Sequence, residues 1–243
     1  MKGVILAGGL GTRLYPLTKI TNKHLLPVGK EPMILNPVKQ LISAGINNIL
    51  VVTSKEHMGD VVRLLGSGRD YGCSFTFKVQ EEAKGIANAL LLAEDFVNKD
   101  SITVILGDNI ATHSIKPYVD NFIRQESGAK VLLRKVSDPE RYGVAALDEQ
   151  NVIEIEEKPN KPKSDYAVIG IYMFDHKVFD IIKSIRPSSR GEYEITSVNN
   201  VYLEKKELTY DILGGEWTDA GTFESLQYAN EILLKYDNTI IDS

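Results

Sequence analysis

The chain has 243 residues, of which 43% are hydrophobic and 25% charged, with a formal net charge of −5. That balance fits an ordinary globular protein with a sizeable core and argues against a nucleic-acid or anionic-membrane surface. Cys73 is the single cysteine, so no intramolecular disulfide can form and a cytoplasmic setting is expected. The N-terminus has no signal-peptide pattern, and no apolar run approaches the ~20 residues of a membrane span.

In chain order, Lys2–Ala7 predicts a strand that runs straight into Gly8, Gly9 and Gly11, with Arg13 close behind. Met33–Ala44 carries apolar residues at helical spacing and ends at Gly45. Asn48–Thr53 predicts a strand, His57–Leu65 a helix, Ser74–Gln80 a strand, Gly85–Phe96 a helix and Ile102–Leu106 a strand. Runs such as VILA, ILVV and ITVIL suggest strands covered on both faces, hence parallel pairing with crossover helices. The second half reads differently. Lys130–Val136, Gly143–Leu147, Val152–Glu156 and Ala167–Phe174 predict strands with few helices between them. Helices follow at His176–Ser184 and Glu194–Lys205, then a strand near Leu208–Leu213, a helix at Thr222–Leu234 and a frayed tail from Lys235. The expectation is one α/β domain over residues 1–243: a nucleotide-binding half to about 128, a more antiparallel half at about 129–236, and a tail at 237–243.

The glycine turn is neither G-x-G-x-x-G, since Arg13 stands where glycine or alanine belongs, nor a Walker A loop. A tight turn explains the glycines by themselves. It does not explain Arg13 and Lys23 within one unusually long strand-to-helix connection. Two cations facing glycine amides suit a triphosphate. Gly107-Asp108-Asn109 ends the fourth strand, so it belongs to the same carboxyl edge of the sheet, where open α/β sheets bind ligands. Asp108 and Asp219 each lie beside or near glycine; they could cap helices or hold one Mg²⁺. Gln80, Glu157, Lys158 and Arg190 read equally well as solvated loop residues, and Tyr172 and Trp217 as core.

LAGGLGTRLYPLT, followed by NKHLLPV and KEPMI, resembles the signature of sugar-1-phosphate nucleotidyltransferases. Further matches follow in family order, from Gln80 to Gly85, then GDN, YGV, EKP, GIY, RGE and WTDAGT, so the resemblance covers essentially the whole chain. It is strongest to the members that join dTTP to glucose 1-phosphate. The resemblance implies a Rossmann-like doubly wound mixed sheet with a more antiparallel sugar-binding lobe. It implies a nucleotide site of Leu6, Ala7, Gly8, Gly9, Gly11, Thr12, Arg13, Lys23, Gln80, Gly85 and Asp108. It implies a sugar-phosphate site of Asn109, Gly143, Glu157, Lys158, Gly170, Tyr172 and Arg190, with Mg²⁺ on Asp108 and Asp219. Arg13, Lys23 and Asp108 are the implied catalytic residues. UTP is the alternative nucleotide, and a non-catalytic sugar-nucleotide-binding subunit is the alternative of a different class. Assembly into a homo-oligomer is left open.

Two departures stand out. His24 occupies the position where the family usually carries Gln. If it contacts nucleotide, affinity should vary with pH near neutrality. Longer members of the family continue into a helical C-terminal extension that serves subunit packing and a regulatory nucleotide site, so both features are in doubt for this sequence.

Overall fold

The computed structural model describes residues 1–148 and 151–236; the expected tail at 237–243 lies outside them. The strands are β1 (Lys2–Ala7), the short hairpin β2 (Pro27–Val28) and β3 (Glu31–Pro32), β4 (Asn48–Ser54), β5 (Ser74–Gln80), β6 (Ile102–Leu106), β7 (Asn109–Ala111), β8 (Ala129–Lys135), β9 (Gly143–Asp148), β10 (Asn151–Glu157), β11 (Tyr166–Phe174), β12 (Leu208–Ile212) and β13 (Trp217–Asp219). The helices are α1 (Leu35–Ser43), α2 (Met58–Leu65), α3 (Ile86–Leu91), α4 (Glu94–Val97), α5 (Lys116–Gln125), α6 (Val178–Ser184), α7 (Ile195–Glu204) and α8 (Phe223–Tyr236).

Nine strands form one mixed sheet in the order β10-β9-β11-β6-β1-β4-β5, with β8 pairing β11 and β12 pairing β8. The β6-β1-β4-β5 half is parallel, whereas β11 runs antiparallel to β6, β8 and β9. Alternate residues of β1 enter opposite cores. Val4 and Leu6 join Leu50, Val52 and Val104 on one face, while Ile5 and Ala7 join Ile49, Val51 and Ile105 on the other. Side chains alternate across a strand, so a strand buried on both faces must be apolar throughout, which is what VILA records.

The predicted helix at Gly85–Phe96 is two helices. The amide of Ala93 bonds the carbonyl of Leu90 three residues back, and this tighter turn separates α3 from α4. The α5 helix has little apolar signal, because it buries only Val119 and Phe122. The last helix reaches Tyr236, beyond the expected fraying point at Lys235. A third apolar cluster matters for function. Leu14, Leu26, Val28 and Met33 of the long β1–α1 connection pack with Ala229 and Ile232 of α8. The C-terminal helix therefore anchors the glycine-rich connection.

Candidate active site

Both substrate-like regions lie along one edge of the sheet, because β11 and β9 reverse direction. The middle of β11 meets the end of β6, through Ile171 opposite Ile105, its first residues run on to pair β9, through Val168 opposite Gly143, and the start of β9 meets the end of β10, through Gly143 opposite Glu157. The short β7–β13 ladder sets Asp219 opposite Asn109, and the Ala220 amide donates to the Asp108 carbonyl at 2.8 Å. Residues more than a hundred positions apart thus reach one place.

Two cavities adjoin there. The first, about 270 Å³, is lined by Leu6, Gly8, Gly9, Lys23, Gln80 and Gly85, and also by His24 and Ala83. The second, about 190 Å³, takes in all seven residues expected around the sugar phosphate, together with Arg13 and Asp219. Asp108, Ile86, Leu106 and Glu192 belong to the walls of both. Among the expected nucleotide residues, Ala7, Gly11 and Thr12 line neither cavity. Ala7 is core, and Thr12 opens an exposed turn. Gly11 has φ of 65°, and a Cβ there would lie 2.9 Å from the Lys23 side chain, so its role is to let the turn pack on Lys23.

In the first cavity Gly8 lies directly against the amide oxygen of Gln80, where a Cβ would collide. Gln80, the last residue of β5, is thereby held with its amide group at the glycine turn. Gly85 has φ of 97°, and a Cβ would approach the Tyr193 carbonyl oxygen to 2.6 Å. Two backbone bonds join these segments: Tyr193 donates to the Lys84 carbonyl at 2.8 Å, and Ala87 donates to the Tyr193 carbonyl at 3.1 Å. The Lys84–Gly85 loop and the loop carrying Arg190 are one connected wall.

Lys23 pairs with Asp108 at 2.5 Å, both side chains being mostly buried. Burial opposes ionisation of Asp108, but the charge of Lys23 and the donors of Lys23 and Asn109 outweigh it and hold the carboxyl well below its usual range. Asp219 behaves in the opposite way. Burial and the like charge of Asp108 raise its pKa, against the opposing pull of Arg141, Tyr142 and Arg13. The β7–β13 ladder and the Ala220–Asp108 bond thus bring the two carboxylates into each other's field, each with one side-chain cation beside it, Lys23 on Asp108 and Arg141 on Asp219. Among the described residues no group of three or more His, Cys, Asp or Glu side chains could hold a metal. An ion here would have hard oxygen ligands from two carboxylates, with the remainder from water and phosphate, which suits Mg²⁺.

His24 overturns its expectation. Its imidazole is buried, and Nδ1 lies 2.6 Å from Asn22 Oδ1. Burial first, and Lys23 next, lower its pKa to about 3, with Asp108 and a backbone bond to Ala7 opposing. It stays neutral from pH 6 to 8, so it supplies no charge switch there.

In the second cavity Glu157 Oε2 accepts a 2.5 Å bond from the Thr196 hydroxyl, and Arg190 lies 3.7 Å from Oε1. Arg190 is also paired with Glu192 at 3.0 Å and Glu194 at 3.1 Å. A Cβ on Gly143 would press on Thr196 Oγ1 at 3.0 Å, so glycine keeps space beside Glu157. Lys158 takes a positive φ of 44°, and its amide donates to the Tyr142 carbonyl. Tyr172 is 3% exposed, stacks on Phe174 at 5.9 Å and faces the cavity, so it is both core and wall. Asn109 is a scaffold: its Oδ1 accepts from the Gly170 amide and from Trp217 Nε1, and its Nδ2 donates to Asp108. The reading from residues missed Arg141, Thr196 and Glu194, and gave Tyr142 and Trp217 no role. Their only linear signal is adjacency, Arg141 and Tyr142 before Gly143, Thr196 and Glu194 after Arg190, and Trp217 before Asp219.

A family profile described as nucleotidyl transferase matches residues 2–236. The chain belongs to the nucleotidyl transferase family. It is 43% identical over 242 residues to a glucose-1-phosphate thymidylyltransferase of Neisseria meningitidis, covering 98% of this chain and 84% of the relative. A Mycolicibacterium smegmatis relative with the same name is 42% identical, with coverage of 96% and 82%. A solved Bacillus anthracis structure, provisionally described as a glucose-1-phosphate thymidylyltransferase in complex with a sucrose, is 60% identical with a TM-score of 0.92, covering 95% of this chain and 94% of that one. A UDP-glucose pyrophosphorylase complexed with UDP-glucose shares the fold at 26% identity and a TM-score of 0.85, covering 96% and 98%. No helix among the described residues is long and apolar enough to cross a membrane.

Proposed function

We propose that this nucleotidyltransferase transfers a thymidylyl group from dTTP to α-D-glucose 1-phosphate, giving dTDP-glucose and pyrophosphate. The observation that carries this reading is the pair of cavities meeting at Asp108, one built on the glycine turn and Gln80, the other on Glu157 and Arg190. A site for two polyanions needs this division. The names of relatives at 42–43% identity over nearly the whole chain support the choice of dTTP and glucose 1-phosphate.

In this reading the amides of Gly8 and Gly9 and the ammonium of Lys23 bind the triphosphate, and Gln80 and Gly85 face the base. Glu157 accepts bonds from sugar hydroxyls, while Lys158 and Arg190 hold the sugar phosphate. Its oxygen attacks the α-phosphorus in line. The new P–O bond forms as the bond to the β-phosphate breaks, and pyrophosphate leaves with that electron pair. The attacking group is already anionic, so the protein supplies neither nucleophile nor general base. Its work is positioning and charge stabilisation by Arg13 and Lys23. Asp108 and Asp219 would hold Mg²⁺, which when bound neutralises phosphate charge. The single cysteine supports a cytoplasmic setting, and the two halves act as one catalytic domain.

The test is pyrophosphate release with dTTP, UTP, ATP, GTP and CTP crossed with several hexose 1-phosphates, with and without Mg²⁺. Fastest release with dTTP, glucose 1-phosphate and Mg²⁺ is expected. A marked preference for UTP would favour the uridylyl reading, and no release with any pair would sink the enzymatic one.

A further inference from the structure

Arg141 and Tyr142 close the short turn Pro139–Arg141 that precedes β9, and both line the sugar-side cavity. Their polar groups converge on one atom. Arg141 Nη2 donates to Asp219 Oδ1 at 3.1 Å, and the Tyr142 hydroxyl donates to the same oxygen at 3.0 Å. Among the described residues Oδ2 receives only the longer hydrogen bond from Arg141, 3.3 Å, and faces the side of Gly221 and Arg13.

The turn is itself braced. Asp138 holds the other guanidinium nitrogen of Arg141 at 2.5 Å. The Tyr142 ring sits edge-on to Trp217 at 5.7 Å, with the guanidinium 5.2 Å from its centroid. Trp217 is in turn bonded to Asn109 at 2.8 Å. Both donors therefore reach Asp219 from groups that are fixed from behind.

We propose that Arg141 and Tyr142 are positioning residues for Asp219: by engaging Oδ1 they fix the carboxylate and leave Oδ2 as the oxygen offered to a divalent cation. The inference rests on the reading of Asp108 and Asp219 as a metal pair. Partners that orient a ligating group are the usual means by which a protein sets metal affinity, and their loss typically weakens it about 10–100-fold.

The experiment is Mn²⁺ binding, followed by the EPR signal of the free ion, with the full chain and a thymidine α,β-methylene triphosphate that cannot turn over. Arg141→Gln and Tyr142→Phe are each expected to raise the Mn²⁺ Kd about 10–100-fold, with unchanged far-UV circular dichroism. Tyr142→Phe deletes one hydroxyl and keeps the ring, so it remains informative where Arg141→Gln misfolds. Asp108→Asn and Asp219→Asn report on the metal reading separately. Loss of Mn²⁺ in both Asn variants, with wild-type affinity in Arg141→Gln and Tyr142→Phe, would overturn the positioning role and leave the metal pair standing. Tighter Mn²⁺ binding in Arg141→Gln would overturn it too, since the guanidinium would then be a competitor of the ion. Unchanged Mn²⁺ affinity in both Asn variants would remove the metal pair itself.

Discussion

His24 gives the sharpest quantitative prediction, and it concerns stability. The imidazole is 2% exposed and its pKa falls from 6.5 to about 3 on folding. A group whose folded pKa is depressed takes up its proton in the unfolded chain first. Stability is therefore complete above pH 6.5 and is lost as pH falls toward the folded value. One proton's difference costs about 1.4 kcal/mol per pH unit, so a drop to pH 5.0 costs about 2 kcal/mol through this residue alone. The result hardly depends on the folded value, because at pH 5.0 the folded imidazole is almost wholly neutral for any pKa near 3. Asp108 does not confuse the measurement, since its depressed pKa moves its own loss of stability to stronger acid. Asp219, with a raised pKa, contributes with the opposite sign and is common to both proteins compared. The assay is urea unfolding at pH 7.5 and pH 5.0 for the wild type and for His24→Gln. The wild type should lose about 2 kcal/mol more than the variant. Equal losses would refute the buried neutral imidazole. In the same picture the nucleotide KM owes no pH dependence to His24 between pH 6 and 8.

Four further outcomes follow from the site. Arg13→Ala should lower kcat about 10²–10³-fold with the fold intact by circular dichroism, and an unchanged turnover would remove Arg13 from the chemistry. Thr196→Val removes the 2.5 Å bond to Glu157, and loss of a charged hydrogen bond of about 1.5–3 kcal/mol should raise the sugar-phosphate KM at least about tenfold. The nucleotide KM should stay constant; equal rises in both would place Glu157 elsewhere. Gly85→Ala forces an L-residue to a φ of 97° against Tyr193, so both KM values should rise, whereas Gly45→Ala at φ of 80° in open space should lose stability alone. A steady-state comparison of the two variants separates site strain from backbone strain. Finally, dUTP in place of dTTP isolates the thymine methyl, and kcat/KM should fall by about 10–200-fold at most.

The net charge of the chain gives no hint of this chemistry, and the arrangement of charge explains why. Each carboxylate at the junction carries its own cation, Lys23 on Asp108 and Arg141 on Asp219, and Arg190 sits among three carboxylates. The Lys23–Asp108 pair is mostly buried, and such pairs are expensive to assemble and costly to break singly. They are nevertheless the groups from which an anionic substrate can draw partners.

Much of the sheet was legible in the sequence. A parallel strand buried on both faces must be apolar throughout, and VILA, ILVV and ITVIL say so residue by residue. The glycine turn was legible for a similar reason, since Gly8 must clear Gln80 and Gly11 must take a positive φ. What the linear order does not hold is the meeting of distant segments. The reversal of β11 beside β6 brings Glu157 and Arg190 to the edge already occupied by Gly8 and Asp108, and the three-residue β13 strand carries Asp219 to Asn109. Strands that short have no periodicity to detect. The state of His24 was invisible for the same reason. Its residue type predicts titration near neutrality, and only burial against distant segments, such as Gly107, keeps it neutral from pH 6 to 8. The sequence alone thus determines which strands are buried and where the chain turns. Tertiary structure decides which side chains share a cavity and what charge they carry, because both depend on neighbours far apart along the chain.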